Sequence, residues 1–289
     1  MNHSVLMFPV VVDTKDAAAV AREVRAMYGE LFPGSDDYFI TRAFEWVVGC
    51  FEGRCSGYQP IDALYHDLEH TLQGTFALTK LLLGRQVAGA IPAITPKMFE
   101  LGLLAILLHD TGYLKRTDDT QGTGAKYTLT HVRRSAEFAC EFLMARGYAE
   151  PEIAAIQNMI RCTGVNVDLT TIPFSSELEK VVGFALGTAD LLGQMAADDY
   201  IDKLPVLYEE FAEAAKFSGA QWNKAVTFNS AEELMRNTPG FWNHYVWPKV
   251  EGDFGKLYRF LGAPDGSNEY LDAINANLAR LQQRLALSP

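Results

Sequence analysis

Imidazole and carboxylate side chains cluster three times inside apolar stretches of this chain. The clusters are Tyr65-His66-Asp67-Leu68-Glu69-His70, Leu108-His109-Asp110-Thr111-Gly112-Tyr113 and Thr188-Ala189-Asp190-Leu191. Burying such groups without partners costs several kcal/mol each, so they pair with one another or bind metal. Three clusters in one chain point to a shared metal site and to metallohydrolase chemistry.

The spacings sharpen this. His66 and His70 are i, i+4, which places both on one face of a helix. That face can carry two metal ligands, or one ligand and one proton donor; a partly exposed pair beside Asp67 and Glu69 is the plainer alternative. His109-Asp110 follows Leu104-Ala105-Ile106-Leu107-Leu108, a stretch with no polar face. Neighbouring helical residues point about 100° apart, yet both reach one ion where the backbone loosens at a helix end. A helix C-cap is the alternative there, since Gly112 follows. Asp190 lies between Val181-Val182-Gly183-Phe184-Ala185-Leu186-Gly187 and Leu191-Leu192. A carboxylate so placed needs a cation, strong donors or a proton. His131 falls near a helix start, a position that suits a surface or capping residue as well as a ligand. Mixed imidazole and carboxylate ligands suit Zn, Fe, Mn or Mg, so the expected cofactor is one or two divalent ions of unspecified element. Such a site lowers the pKa of a bound water, and His66, outside the ligand set, can protonate a leaving oxygen.

Helix-period patterning dominates the elements that must position these groups. Expected helices run from a cap at Asp13 or Thr14 to about Leu31, from Ser35 to about Phe51, and from Ile61 to about Leu83 with His66 and His70. Thr95-Pro96 opens a helix to about His109-Asp110, with Pro at its first position. Thr117 to Tyr127, with Gly122 and Gly124, reads as a loop. Helices then follow over Leu129–Ala145, Pro151–Arg161, from Ser175 or Ser176 through Asp190, and over Asp199–Lys216, Ser230–Arg236, Gly240–Leu261 and Asn268–Leu287. Only Val5 to Val12 hints at a strand. With no internal repeat or linker, residues 1–289 read as one all-α domain.

Composition narrows the partners. The 289 residues are 48% hydrophobic, enough for a sizeable core, and the net charge is −11. No basic run offsets that charge, so a nucleic-acid polymer is not expected as a partner. A small anionic, phosphorylated substrate remains compatible, because a metal reverses the local field. No apolar run approaches a membrane span, and Val5 to Val12 lacks the basic leader of a signal peptide. The cysteines Cys50, Cys55, Cys140 and Cys162 form no C-x-x-C pair, which fits a reduced cytoplasmic setting.

Taken in order, these motifs resemble the HD-domain metalloprotein superfamily, most closely the catalytic domain of class I 3',5'-cyclic nucleotide phosphodiesterases. Tyr65-His66-Asp67-Leu68-Glu69-His70 is similar to that family's Y-H-N-x-x-H, His109-Asp110 to its H-D, and Ala189-Asp190-Leu191 to its A-D-L. Met159-Ile160-Arg161-Cys162-Thr163 resembles M-V-L-A-T, and Gly240-Phe241 with Tyr245 to Pro248 resembles G-F-x-x-x-x-x-x-P. The resemblance spans roughly residues 60–250. It implies a compact multi-helix bundle that hydrolyses a small phosphoester. His70, His109, Asp110 and Asp190 would hold the first metal, with Asp110 bridging to a second. His66 would be the general acid, and Phe241, with Tyr65, would frame the substrate pocket. His131-Val132-Arg133-Arg134-Ser135 is similar to an H-x-x-x-G stretch of bacterial HD proteins whose His binds the second metal. Two positions depart from the pattern. Asp67 stands where the family has Asn, and Thr238 occupies the slot of the purine-binding Gln, where it offers fewer hydrogen bonds. Tyr113 also replaces a Lys that some HD phosphatases carry. The resemblance leaves two other readings open: an oxidative HD enzyme with a di-iron centre, and a ligand-binding module with a structural metal.

Overall fold

A computed structural model describes residues 12–218, 228–263 and 265–287. Among them stand ten α-helices and no strand: α1 (Ala17–Leu31), α2 (Tyr38–Phe51), α3 (Leu68–Val87), α4 (Pro96–Leu108), α5 (His131–Met144), α6 (Glu150–Arg161), α7 (Glu177–Ala196), α8 (Tyr200–Ser218), α9 (Ala231–Phe241) and α10 (Glu269–Leu287). The all-α expectation holds. The possible strand at Val5 to Val12 lies outside the described residues except for its last member. The one β-type pairing among the described residues is an isolated bridge between Tyr58 and Arg116. Among the described residues no helix is long and apolar enough to cross a membrane.

The most apolar helices form the centre, as they must when no face can meet water. Leu101 through Leu108 of α4 are all buried, and α7 buries most residues from Val182 to Met195. α3 lies along α7 in the broadest helix contact of the fold, and α4 packs on both. One continuous apolar core runs from Val20 of α1 to Leu281 of α10.

Capping chemistry sets most boundaries where the pattern placed them. The Thr95 hydroxyl accepts from the Met98 amide at 3.1 Å, with Pro96 at the first helical position. Ser176 and Ser230 accept from the amides of Glu179 and Glu233, each at 3.1 Å. Such caps satisfy amides that have no partner inside the helix.

Four expected boundaries move. α1 is capped by Asp16, because Asp13 is spent on the Lys15 amide in the preceding turn. α2 starts at Tyr38, whose amide goes to Asp36 rather than extending a helix from Ser35. α3 starts at Leu68 instead of Ile61, with Asp67 accepting from the His70 amide at 2.8 Å. His66 therefore lies ahead of the helix, and the shared helix face expected for His66 and His70 does not exist. The Gly240–Leu261 helix is broken. α9 runs on to Phe241, π-helical turns cover Trp242–Val246 and Lys249–Asp253, and a 3-10 turn covers Leu257–Leu261. Pro239 and Pro248 remove two amides that regular helical bonding needs. Gly255 and Lys256 then adopt left-handed φ of 66° and 63°.

Candidate metal centre

Three helix segments converge on one buried point. α3 contributes His70 from its first turn, just behind the Asp67 cap. His109 ends α4 as its C-cap, and its Nδ1–H donates to the Ile106 carbonyl at 2.7 Å. That bond fixes the tautomer and leaves Nε2 as a lone pair aimed away from the helix. Asp110 follows with φ −105° and ψ 7°, so the chain has already left helical geometry. This loosening lets adjacent residues reach a common point. α7 brings Asp190 from the opposite side.

The donor atoms alternate. His70 Nε2 is 3.3 Å from Asp110 Oδ2 and 3.2 Å from Asp190 Oδ1; His109 Nε2 is 3.3 Å from each of the same two oxygens. His70, His109 and Asp110 offer atoms all within 4.8 Å of one another, and Asp190 approaches the two imidazoles of that group without joining the mutually close set. All four residues are buried. His109 Nε2, Asp110 Oδ2 and Asp190 Oδ1 nevertheless make no hydrogen bond. Ligand atoms bound about 2.1 Å from one ion lie about 3.0–3.4 Å apart, depending on coordination angle. The observed spacing and the orphaned lone pairs fit a divalent ion.

The electrostatics agree. Burial pulls the His70 imidazolium down, but the Asp110 and Asp190 carboxylates outweigh it and hold its pKa up at about 10. Burial likewise opposes charge on Asp110 and Asp190, and the neighbouring imidazoles overcome it and keep both carboxyls below their usual range. A centre that keeps two buried carboxylates ionised is prepared for a cation.

His131 opens α5. Its Nδ1–H donates to the Thr128 carbonyl at 2.6 Å, and its Nε2 lies 3.8 Å from Asp110 Oδ1, the other oxygen of that carboxylate. Burial lowers its pKa, which favours the neutral ring. Gly112 permits this approach. A Cβ there would come within 2.0 Å of the His131 carbonyl oxygen, and the Gly112 amide instead donates to Ser135 Oγ at 2.8 Å.

His66 reaches the same region from the segment before α3. Its Nδ1–H donates to Glu210 Oε2 of α8 at 2.6 Å. Glu210 is buried and also accepts from the Tyr65 amide at 2.7 Å. Burial would lift its carboxyl, but His66 and these amides outweigh that and hold it below the usual range. The sequence reading missed Glu210. Its one signal is position: a carboxylate three residues after Leu207 and four before Ala214, within the inward stripe of α8. Tyr113 is fully buried and stacks against both His66 and His131, with ring centroids 4.5 Å and 4.8 Å away, and the two imidazole centroids are themselves 5.9 Å apart. The residue in the Lys position is thus an aromatic surface against which both imidazoles pack.

His66, His70, His109, Asp110, Tyr113, His131 and Asp190 line one cavity of about 1130 Å³, together with Tyr65, Thr238 and Phe241. The Tyr65 hydroxyl donates to Gln194 Oε1 at 2.9 Å. The buried Thr238 hydroxyl donates to the Leu234 carbonyl at 3.0 Å, so it is already satisfied within α9. Phe241 is 40% exposed and stacks on Tyr245, 5.1 Å between centroids.

Residues 56–283 match the family model described as Npun_R2479-like, and the chain belongs to that family. No curated protein matches it.

Proposed function

We propose that this protein is a metal-dependent hydrolase of a small phosphoester, related to the HD-domain phosphohydrolases it resembles. The observation that carries the reading is the set of buried nitrogen and oxygen lone pairs, 3.2–3.3 Å apart and without hydrogen bonds, on the wall of a cavity that also holds His66. His70, His109, Asp110 and Asp190 would hold one divalent ion, and His131 with the second oxygen of Asp110 would serve another. Bound there, such ions supply Lewis acidity toward phosphoryl oxygens and acidity to water.

The chain's own groups do the rest. Glu210 accepts the Nδ1–H hydrogen bond of His66 and fixes the ring with Nε2 toward the cavity. His66 Nε2 then carries the proton that a leaving oxygen needs. Tyr113 packs its ring against both the His66 and the His131 rings. Phe241 offers a flat face to a planar part of the substrate. Thr238, bonded to its own helix, has no amide edge with which to read a purine. Free Cys50, Cys55, Cys140 and Cys162 fit a reducing, cytoplasmic compartment.

The test is a panel of phosphomonoesters, cyclic nucleotides and other diesters, run with Mn, Mg, Zn or Fe, on the native chain and on His66→Ala. Hydrolysis by the native chain, with the variant inactive but metal-loaded, is expected. Equal loss of metal and turnover would make His66 a ligand. Iron content with oxygen-dependent turnover would replace hydrolysis by a di-iron oxidation, a chemistry that the approach of His131 to Asp110 also suits.

A further inference from the structure

Away from the cavity, Cys50 and Cys55 face each other with their sulfurs 2.9 Å apart. Local backbone chemistry puts them there. At the end of α2 the Arg54 amide donates to the Gly49 carbonyl at 2.7 Å, and the Gly53 amide donates to the Cys50 carbonyl at 3.3 Å. Gly53 has φ +80°, the left-handed conformation that this kind of helix ending requires. The reversal carries the chain back over the last turn of α2 and sets Cys55 above Cys50. Beyond it, the Tyr58 amide donates to the Cys55 carbonyl at 3.1 Å, and the Gln59 amide donates to the Lys115 carbonyl at 2.9 Å. Cys55 is therefore held on both sides. Its sulfur is within about 1 Å of bonding distance to its partner.

We propose that Cys50 and Cys55 are a redox-active dithiol, with Cys55 as the attacking sulfur and Cys50 as the resolving one. Exposure assigns the roles. Cys50 is fully buried, while Cys55 is partly open to solvent. Electrostatics support the assignment. The hydrogen bond from Cys50 lowers the Cys55 thiol to about 7, against the opposing effect of burial and with help from Arg146. The same bond and burial push the Cys50 thiol up. A thiol titrating near ambient pH is well suited to exchange. Cys162, by contrast, is buried and pushed up to about 12, which marks it as inert.

With a low-molecular-weight disulfide such as glutathione disulfide as oxidant, the step balances. The Cys55 thiolate attacks one glutathione sulfur, and one glutathione thiolate leaves and takes up a proton. The Cys50 thiol gives up its proton, its sulfur attacks Cys55 Sγ, and the second glutathione departs. Two protein thiols are oxidised and one small disulfide is reduced. The loop so closed leads into the segment paired with Lys115 and Thr117, just beyond Tyr113 of the cavity wall.

The test uses the full-length chain in buffers of graded reduced and oxidised glutathione, quenched with acid, alkylated and mapped by mass spectrometry. The expected product is one Cys50–Cys55 link, lighter by two hydrogens and reversed by dithiothreitol, with Cys162 remaining alkylatable only after unfolding. Cys50→Ser should accumulate glutathione on Cys55, whereas Cys55→Ser should leave Cys50 unmodified. Two results in the native chain would overturn the proposal without any variant having to fold. One is both thiols remaining free in glutathione disulfide alone. The other is a mixed disulfide on Cys55 that Cys50 never resolves.

Discussion

Glu179 and Asp190 are buried carboxylates on the same helix, α7, in opposite states of satisfaction. The Glu179 carboxylate accepts from Asn158 Nδ2 at 2.9 Å, from the Ser175 amide at 2.9 Å, and from the Ser175 hydroxyl. It closes the start of the helix with neutral donors and has no capacity left for a ligand. Asp190 Oδ1 accepts no hydrogen bond and faces two imidazole nitrogens. Burial alone does not mark a functional group. What distinguishes Asp190 is the lack of donors around a charge that the interior should not tolerate unpaired.

The largest effect that would sharpen this contrast is on metal content. Asp190→Asn should reduce metal affinity by more than the roughly 10–100-fold typical of outer-shell partners, and turnover should vanish with it. Glu179→Gln should leave metal stoichiometry unchanged and cost about 1–3 kcal/mol of stability. Elemental analysis beside denaturant titration reads both. Metal loss in the Glu179 variant, or full retention in the Asp190 variant, would erase the distinction.

Next in size is the proton donor. His66→Ala should lower turnover about 10²–10⁴-fold with metal retained. Glu210→Gln should lower it less, because an amide oxygen can still accept from Nδ1–H and keep the ring in place. Kinetics across pH on both variants check the order. An unchanged pH profile in Glu210→Gln would limit Glu210 to the structural role that Glu179 plays.

A smaller effect separates the metal-free protein from the loaded one. Without metal, His70 titrates at about 10, against about 6.5 when unfolded. A raised folded-state pKa stabilises fully below the unfolded value, and that stability is lost as pH rises through the folded one. Chelator-treated protein should therefore lose stability from about pH 6.5 toward pH 10. Loaded protein should not show this slope, because a ligating His70 is already neutral. Thermal melts at matched ionic strength would falsify this if the two preparations declined in parallel.

The smallest effect concerns recognition at the far wall. Phe241→Ala should raise KM with little change in kcat. Cyclic AMP, cyclic GMP and a base-free diester should be turned over with little discrimination, since the Thr238 hydroxyl is committed to the Leu234 carbonyl. A strong preference for one cyclic purine nucleotide would show that another wall residue reads the base.

Much of this was legible before any coordinates. Helical periodicity, Thr95-Pro96 and the Ser176 and Ser230 caps are short-range signals, and they placed most helices within a few residues. The burial of His109, Asp110 and Asp190 was legible for a related reason: polar groups inside or just behind the all-round apolar segments of α4 and α7 had nowhere to go but inward. The misplaced elements are those where local signals compete. Asp67 wins the start of α3 over an apolar pattern beginning at Ile61. Pro248 and the left-handed Gly255 and Lys256 break a run that reads as one helix.

By itself, then, the sequence determined the all-α class, the central helices, and the burial of His70, His109, Asp110 and Asp190. These follow from periodicity, capping and the cost of burying charge, all of which act within a few residues along the chain. Only the tertiary structure decided how those groups meet. His66 finds its partner Glu210 across 144 residues, Tyr113 stacks on two histidines, and Asp110 divides its oxygens between His131 and the other imidazoles. Contacts at such separations depend on how helices dock, and no local pattern encodes that.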